Sequence, residues 1–212
     1  MTALTFTVAR TGETVTVTDF DLVVAGYTGR DEAAVKHHID ELAAIGVPPP
    51  DSVPAFYELE AALATQAATI SVSGTNTSGE VEPVLVRAGG KLYLTVGSDH
   101  TDRDIETSSV KDSKAACPKP LGATVVPIEN PDWDAIVAES TVDGVRYQHG
   151  PLSALRIPTD VLALHRGSDS RDLVMFCGTL TLIEGKFVPG RDWTLSLTLP
   201  GGPELTHTYS VS

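Results

Sequence analysis

Ser78-Gly-Glu-Val-Glu-Pro83 and, after one turn, Tyr93-Leu-Thr-Val-Gly-Ser-Asp-His-Thr-Asp-Arg-Asp-Ile-Glu106 are the most informative stretches of this sequence. Glu80 and Glu82 are two positions apart, so on a strand both carboxylates leave the same face. If that face meets solvent, the pair is an ordinary polar edge. If it meets a cavity, the neighbouring carboxylates repel and require a cation or shared protons. Asp99 follows an apolar stretch, which puts a third carboxylate at a strand end close to the core. Three hard oxygen donors from two neighbouring strands suit Mg2+ or Mn2+, with water or substrate completing the coordination. Arg103 follows Asp99 by four residues and Lys114 lies further on. Fixed cations beside a metal are what a reaction developing negative oxygen charge requires.

Outward from this segment the chain reads as mainly β with a helical N-terminal part. Residues 4–8 and 14–18 alternate around Gly12-Glu13 as a hairpin, and 21–26 form an apolar run ending at Gly26. Asp31 is an N-cap for a helix running to about Ile45 and stopped at Gly46. Ala34, Val35, Ile39, Leu42 and Ile45 sit at helical spacing, which predicts one face laid on a core. Val47-Pro-Pro-Pro50 forces an extended segment, and a short helix fits 56–63. Strands are expected at 70–73, 82–87, 91–97, 122–128, 144–147, 161–164, 173–183 and 192–199. Turns are signalled by Gly89-Gly90, Gly167-Ser168 and Gly201-Gly202. With no internal repeat or linker, residues 1–212 read as one domain.

The 212 residues are 42% hydrophobic, enough for a core that can bury a site. A formal charge of −13 disfavours nucleic acid, whose binding needs clustered Lys and Arg. No apolar run approaches a membrane span, and Met1 to Val8 lacks the features of a signal peptide, so a cytoplasmic location is expected. Cys117 and Cys177 are no disulfide framework and read as buried apolar fillers rather than nucleophiles. His149, His165 and His207 carry no motif. Trp133 and Trp193 read as core or subunit contacts. His100, beside Asp99, points to the opposite face of its strand and is left out of the site.

The ordered set Gly79-Glu-Val-Glu82, Thr95 to Glu106 and Ser113-Lys114 resembles the core signature of the fumarylacetoacetate hydrolase superfamily, and most closely an uncharacterised bacterial branch of it. The resemblance implies an α+β, mainly-β fold, a mixed β-sandwich and β-roll with a short helical N-terminal lid at 27–57. It makes Glu80, Glu82 and Asp99 the ligands of Mg2+ or Mn2+, and Arg103 and Lys114 the groups that hold substrate oxygens. Lys114 is favoured over Lys111 on spacing. Gly26-Tyr-Thr-Gly-Arg-Asp31 and His38-Ile-Asp-Glu41 resemble the mobile segment with its H-x-x-E dyad, in which Glu41 orients His38 as general base. Without the resemblance, His37 or His38 reads first as a surface helix residue. Pro-rich 47–54 and Phe56-Tyr57 resemble the stretch after the lid. Val174 to Thr179 resembles the apolar strand whose Thr contacts the substrate carboxylate. Phe187-Val-Pro-Gly190 and the final hairpin resemble the closing strands.

Glu106 stands where many members of that superfamily carry Gln. An ionised Glu accepts but cannot donate a hydrogen bond, so Glu106 suits a cationic or hydroxyl-bearing substrate, pairs with Arg103 or Lys114, or is protonated. The expected activity is that of a metal-dependent hydrolase or lyase: C–C hydrolysis, decarboxylation, or hydration and dehydration of a small 2-oxo or β-dicarbonyl carboxylic acid through a metal-stabilised enolate. Family members are commonly dimers, so a homodimer is expected. The alternatives are an inactive metal-dependent small-ligand binding protein of the same fold, and an acidic structural protein without a metal.

Overall fold

The computed structural model describes residues 3–44, 46–167 and 170–212; Ile45, Ser168 and the Leu42 side chain, all named above, lie outside the described residues. Strands β1 (Leu4–Val8) and β2 (Thr14–Val17) form the expected hairpin. Strand β3 (Phe20–Gly26) leads to helix α1 (Glu32–Ala44) and strand β4 (Ala55–Leu59). Strands β5 (Val81–Ala88) and β6 (Lys91–Ser98) are a hairpin closed by Gly89 and Gly90, both at positive φ, which glycine tolerates. Next come α2 (Arg103–Glu106), α3 (Val110–Ala115), β7 (Thr124–Pro127), β8 (Val137–Val142) and β9 (Val145–Pro151). Helix α4 (Pro158–Leu164) and strands β10 (Asp172–Phe176), β11 (Asp192–Thr198) and β12 (Glu204–Val211) complete the chain.

One sheet has eight strands in the order β2-β1-β7-β6-β5-β10-β3-β4; β1–β7 and β10–β3 are parallel and the other neighbours antiparallel. The second has five, β9-β8-β11-β12 and the short strand Thr69–Ile70. Period-two alternation on the central strands feeds two apolar clusters. In β3, Leu22 and Val24 join Phe6, Val86 and Phe176, while Val23 and Ala25 join Leu85, Met175, Trp193 and Leu195. The first cluster comes almost wholly from the large sheet, which curls around it; the second joins the two sheets. This is the expected α+β, mainly-β sandwich and roll. Trp133 and Trp193 are buried, and Trp193 stacks on Tyr209 with centroids 6.2 Å apart. Among the described residues no helix is long and apolar enough to cross a membrane.

Several local expectations fail for identifiable reasons. Residues 55–59 are strand, not helix, because β4 pairs with the edge of β3 from Gly26↔Ala55 to Leu22↔Leu59; only Ala61–Leu63 makes a helical turn. Residues 161–164 belong to α4, which Pro158 starts, a position where its missing N–H costs nothing. The run 173–183 stops at Phe176, just before Gly178 at φ +101°. The strand at 70–73 shrinks to Thr69–Ile70, β8 was not anticipated, and residues 187–190 form a loop rather than a closing strand.

The largest difference concerns α1. Its Asp31 cap is as expected, the carboxylate accepting the N–H groups of Ala33 and Ala34. Among its described side chains the helix nevertheless lays no face on the core: Ala34 is exposed and Val35 and Ile39 are only half-buried. The sheet faces are already filled by each other and by the large sheet's own curl. The helix is instead tethered at its base, where Gly29 bridges Leu155, Arg30 forks onto Asp134 and Arg156 reaches Glu32 at 2.9 Å.

Candidate active site

Gly79 opens the site. A Cβ there would lie 2.3 Å from the Tyr209 hydroxyl and 2.5 Å from Ser98 Oγ, so only glycine lets the chain pass into β5 this closely. Glu80 and Glu82 then sit at the start of β5, opposite the end of β6, and the Asp99 N–H donates to the Glu80 carbonyl at 3.0 Å. Asp102 caps α2 with its carboxylate and Ser109 caps α3 with its hydroxyl. Two one-turn helices thereby aim Arg103, Glu106 and Lys114 at the same spot. Lys111, the competing lysine, is exposed.

The guanidinium of Arg103 is shared between acids. Its Nε donates to Ser78 Oγ at 2.7 Å, Nη1 to Glu106 at 2.8 Å, and Nη2 lies 3.2 Å from Glu80. Burial opposes its charge, yet Glu80 and Glu106 raise its pKa further. Lys114 is buried and hydrogen-bonded to Asp99 Oδ2; despite burial, Asp99 and Glu80 hold it charged. A second ammonium, Lys119, is wholly buried and donates to the carbonyls of His100 (2.6 Å), Lys114 and Cys117 (3.1 Å), with Asp99 Oδ1 3.3 Å away. Burial pulls its pKa down while Asp99 opposes the fall. Burial would push the Asp99 carboxyl up, but Lys114 and Lys119 hold it well below the ordinary carboxylate range.

Glu82 differs from its neighbours. The three cations pair with Glu80, Asp99 and Glu106, whereas Glu82 accepts the Gly178 N–H at 2.7 Å. Burial first, and Asp99 second, push its pKa far up. Gly178 holds that N–H in place at φ +101°, where an added Cβ would stand 1.7 Å from Thr28 Oγ1. Gly178→Ala is therefore expected to lower stability by roughly 1–3 kcal/mol through backbone strain alone, plus the cost of moving Thr28, read by denaturant unfolding. Unchanged stability would show that this turn tolerates a side chain.

An outer layer stands toward the N-terminal segment. The Tyr57 ring lies 5.8 Å from Lys114 Nζ, and Tyr27, at φ +58°, lies 6.5 Å from the His38 ring. Burial raises the pKa of both phenols, Tyr57 to about 12. Phe187 covers the Arg103 guanidinium, its ring centroid 3.7 Å from Cζ. His38 and Glu41 share a face of α1, 3.9 Å apart, but both are exposed, and His37 lies closer to Glu41 at 3.3 Å. The structure thus brings Glu80, Glu82, Asp99, Arg103, Glu106 and Lys114 together and leaves the H-x-x-E dyad one aromatic layer outside them. Thr179 lies beside β5, its hydroxyl donating to the Val81 carbonyl and accepting from Gln148. His100 faces away as expected, between Tyr209 and Thr77, its pKa pulled down to about 3 by burial and then by Lys119.

The model of the family described as Protein of unknown function (DUF2848) matches residues 25–209. The chain belongs to this family. No curated protein matches it. The DUF2848 chain shares its fold with solved structures of the fumarylacetoacetate hydrolase superfamily, as the motifs implied. A Burkholderia cenocepacia protein provisionally assigned as a fumarylpyruvate hydrolase is 15% identical, with TM-score 0.67 over 100% of this chain and 96% of that one. The fumarylpyruvate hydrolase of Pseudomonas aeruginosa, solved with Mn2+ and pyruvate, is 18% identical, with TM-score 0.62 over 100% and 96%. The 5-carboxymethyl-2-hydroxymuconate delta-isomerase of Mycobacterium smegmatis is 18% identical, with TM-score 0.60 over 95% and 84%.

Lys119 is the residue of the DUF2848 site that sequence reasoning missed. Its signal was a lone lysine inside Ala115-Ala-Cys-Pro-Lys-Pro-Leu121, where an apolar setting forces any charge to find partners. Tyr27, Tyr57 and Phe187 were noticed only as parts of matching stretches. Cys117 and Cys177 are buried free thiols, as expected, Cys117 raised by burial to about 11.

Proposed function

We propose that this DUF2848 protein is a divalent-metal-dependent hydrolase or lyase acting on a small 2-oxo or β-dicarbonyl carboxylic acid. The observation that carries the proposal is Glu82, a buried carboxylate whose own partner is a single N–H, converging with Glu80 and Asp99. Among the described residues no three such side chains stand at ligating spacing, since Arg103 and Lys114 pair with the acids instead. The donor chemistry fits Mg2+ or Mn2+: four carboxylates face three internal cations, and one more cation would let Glu82 ionise. The Mn2+ and pyruvate held by the Pseudomonas neighbour support the same assignment.

Glu80, Glu82 and Asp99 would hold the ion. When bound, it supplies Lewis acidity and a template for adjacent carbonyl and carboxylate oxygens. Lys114 holds positive charge beside the position where an enolate oxygen develops. His38, with Glu41 turning its ring, is the proposed general base, delivered when residues 27–57 close over the site and exclude water. This role requires α1 to move, since His38 is exposed where it stands. Arg103 positions Glu80 and Glu106, Thr179 flanks the substrate carboxylate, and homodimerisation and a cytoplasmic location are part of the same proposal.

The test is the melting temperature of metal-stripped protein with Mn2+, with oxalate, and with both. A ligand that binds only the folded state at 100 times its Kd adds about 2.7 kcal/mol. The expected shift needs metal and oxalate together and is lost in Glu82→Ala. No shift in the wild type overturns the proposal. The second reading, a protein that binds ligand without turnover, is favoured by Glu106 at a position of substrate contact. His38→Ala separates the two: loss of turnover with retained ligand binding supports the enzyme, whereas no turnover of any oxo acid by the wild type supports the binding protein.

A further inference from the structure

At a site rich in paired acids and cations, the group that meets the far end of a substrate is set by which charges remain unspent. Arg103 has all three nitrogens committed to Ser78, Glu106 and Glu80, and Phe187 covers one face of it. Lys114 is bonded to Asp99, and Lys119 is wholly buried. Neither can leave to meet a second carboxylate. Glu106 is the opposite case. Its side chain is 24% exposed against 13% for Glu80 and none for Asp99, and Arg103 engages one of its two oxygens. Aromatic rings stand near it: Phe187 lies over Arg103, Tyr57 beside Lys114 and Tyr27 beside His38, and the Glu106 charge acts on both phenols. On the Phe187 loop, Glu184 and Lys186 are both exposed and offset each other's charge.

A carboxylate with a free oxygen, close to aromatic rings, is a cation receptor: the acid supplies charge and the ring faces supply quadrupole attraction. We infer that Glu106, with Phe187, Tyr57 and Tyr27, selects an oxo acid whose far end carries a positively charged nitrogen, rather than a second carboxylate. The inference rests on the metal-dependent oxo-acid site proposed above and names the substrate class of that site.

Calorimetric titration of the full-length, Mn2+-loaded protein tests it with three probes: oxalate, 2-oxoglutarate and 2-oxo-5-guanidinopentanoate. Oxalate has no far end and reports only whether the oxo-acid site exists. The guanidino acid is expected to bind the wild type about ten-fold tighter than 2-oxoglutarate, the size of one well-placed cation–π or charge contact. In Glu106→Gln, which keeps the shape and removes the charge, that ratio is expected to fall to about two-fold or less. Equal or tighter binding of 2-oxoglutarate by the wild type overturns the inference even if the variant fails to fold. An undiminished ratio in a folded Glu106→Gln overturns the role of Glu106. If oxalate binds while the guanidino acid has no advantage, the metal site stands and the selectivity falls; if oxalate does not bind, both fall.

Discussion

Lys119→Met is expected to lower the stability of the metal-free protein by about 3–5 kcal/mol, the usual cost of removing one partner from a buried ion pair. For a chain of this size that is roughly 6–20 °C in melting temperature. The reason lies in what the ammonium satisfies: three backbone carbonyls and the outer oxygen of Asp99, all away from water. Methionine has nearly the same shape and can donate nothing, so those acceptors lose their partner at full desolvation cost. Mn2+ is expected to recover part of the loss by restoring positive charge beside Asp99. A variant melting within about 2 °C of the wild type would mean that Asp99 and the carbonyls find other donors.

Glu82→Gln is expected to separate folding from metal binding. Burial and Asp99 raise the Glu82 pKa in the folded state, so the folded protein holds a proton that the unfolded chain releases near its ordinary value of about 4.3. Stability is then fully present below that value and is lost as pH rises through the folded pKa. Glutamine carries no such proton. Relative to the wild type, metal-free Glu82→Gln should therefore gain stability steadily from about pH 4 upward. The same variant should lose most of the roughly 2.7 kcal/mol that saturating metal adds to the wild type. Denaturant midpoints across pH, with and without Mn2+, measure both effects. Parallel pH curves, or an undiminished metal gain, would show that Glu82 is neither buried-protonated nor a ligand.

The acidic heart of the site was legible because its spacing is local. Glu80, Glu82, Asp99 and Arg103 fall on one hairpin and its following turn, where period-two alternation and short reach limit the geometry. Lys119 was not legible, because its partners are carbonyls whose position depends on how the chain folds back after α3. Gly178 joins Glu82 from 96 residues away, a contact no local pattern announces. The alternation of β1 and β2 and the apolar runs of β3, β5 and β6 marked those segments as strands, but the edge strand β4 was misread because Ala, Leu and Glu favour helix until a neighbour's free edge offers pairing. Helix α1 failed in the other direction. Its apolar spacing was real, yet whether a core exists to receive it depends on which faces the strands have already filled.

The cage around Lys119 also sets the terms on which this protein depends on its surroundings. A metal ion reaches a site only in proportion to its free concentration, and proteins whose acids rely on metal alone unfold when supplies run low. A lysine built into the chain is present at unit stoichiometry in every copy, from the moment of synthesis. Part of the charge on Asp99 is thus answered before any ion arrives. Under the metal dependence proposed above, scarcity of metal would idle such molecules without condemning them to proteolysis, leaving a folded reserve that supply could switch on.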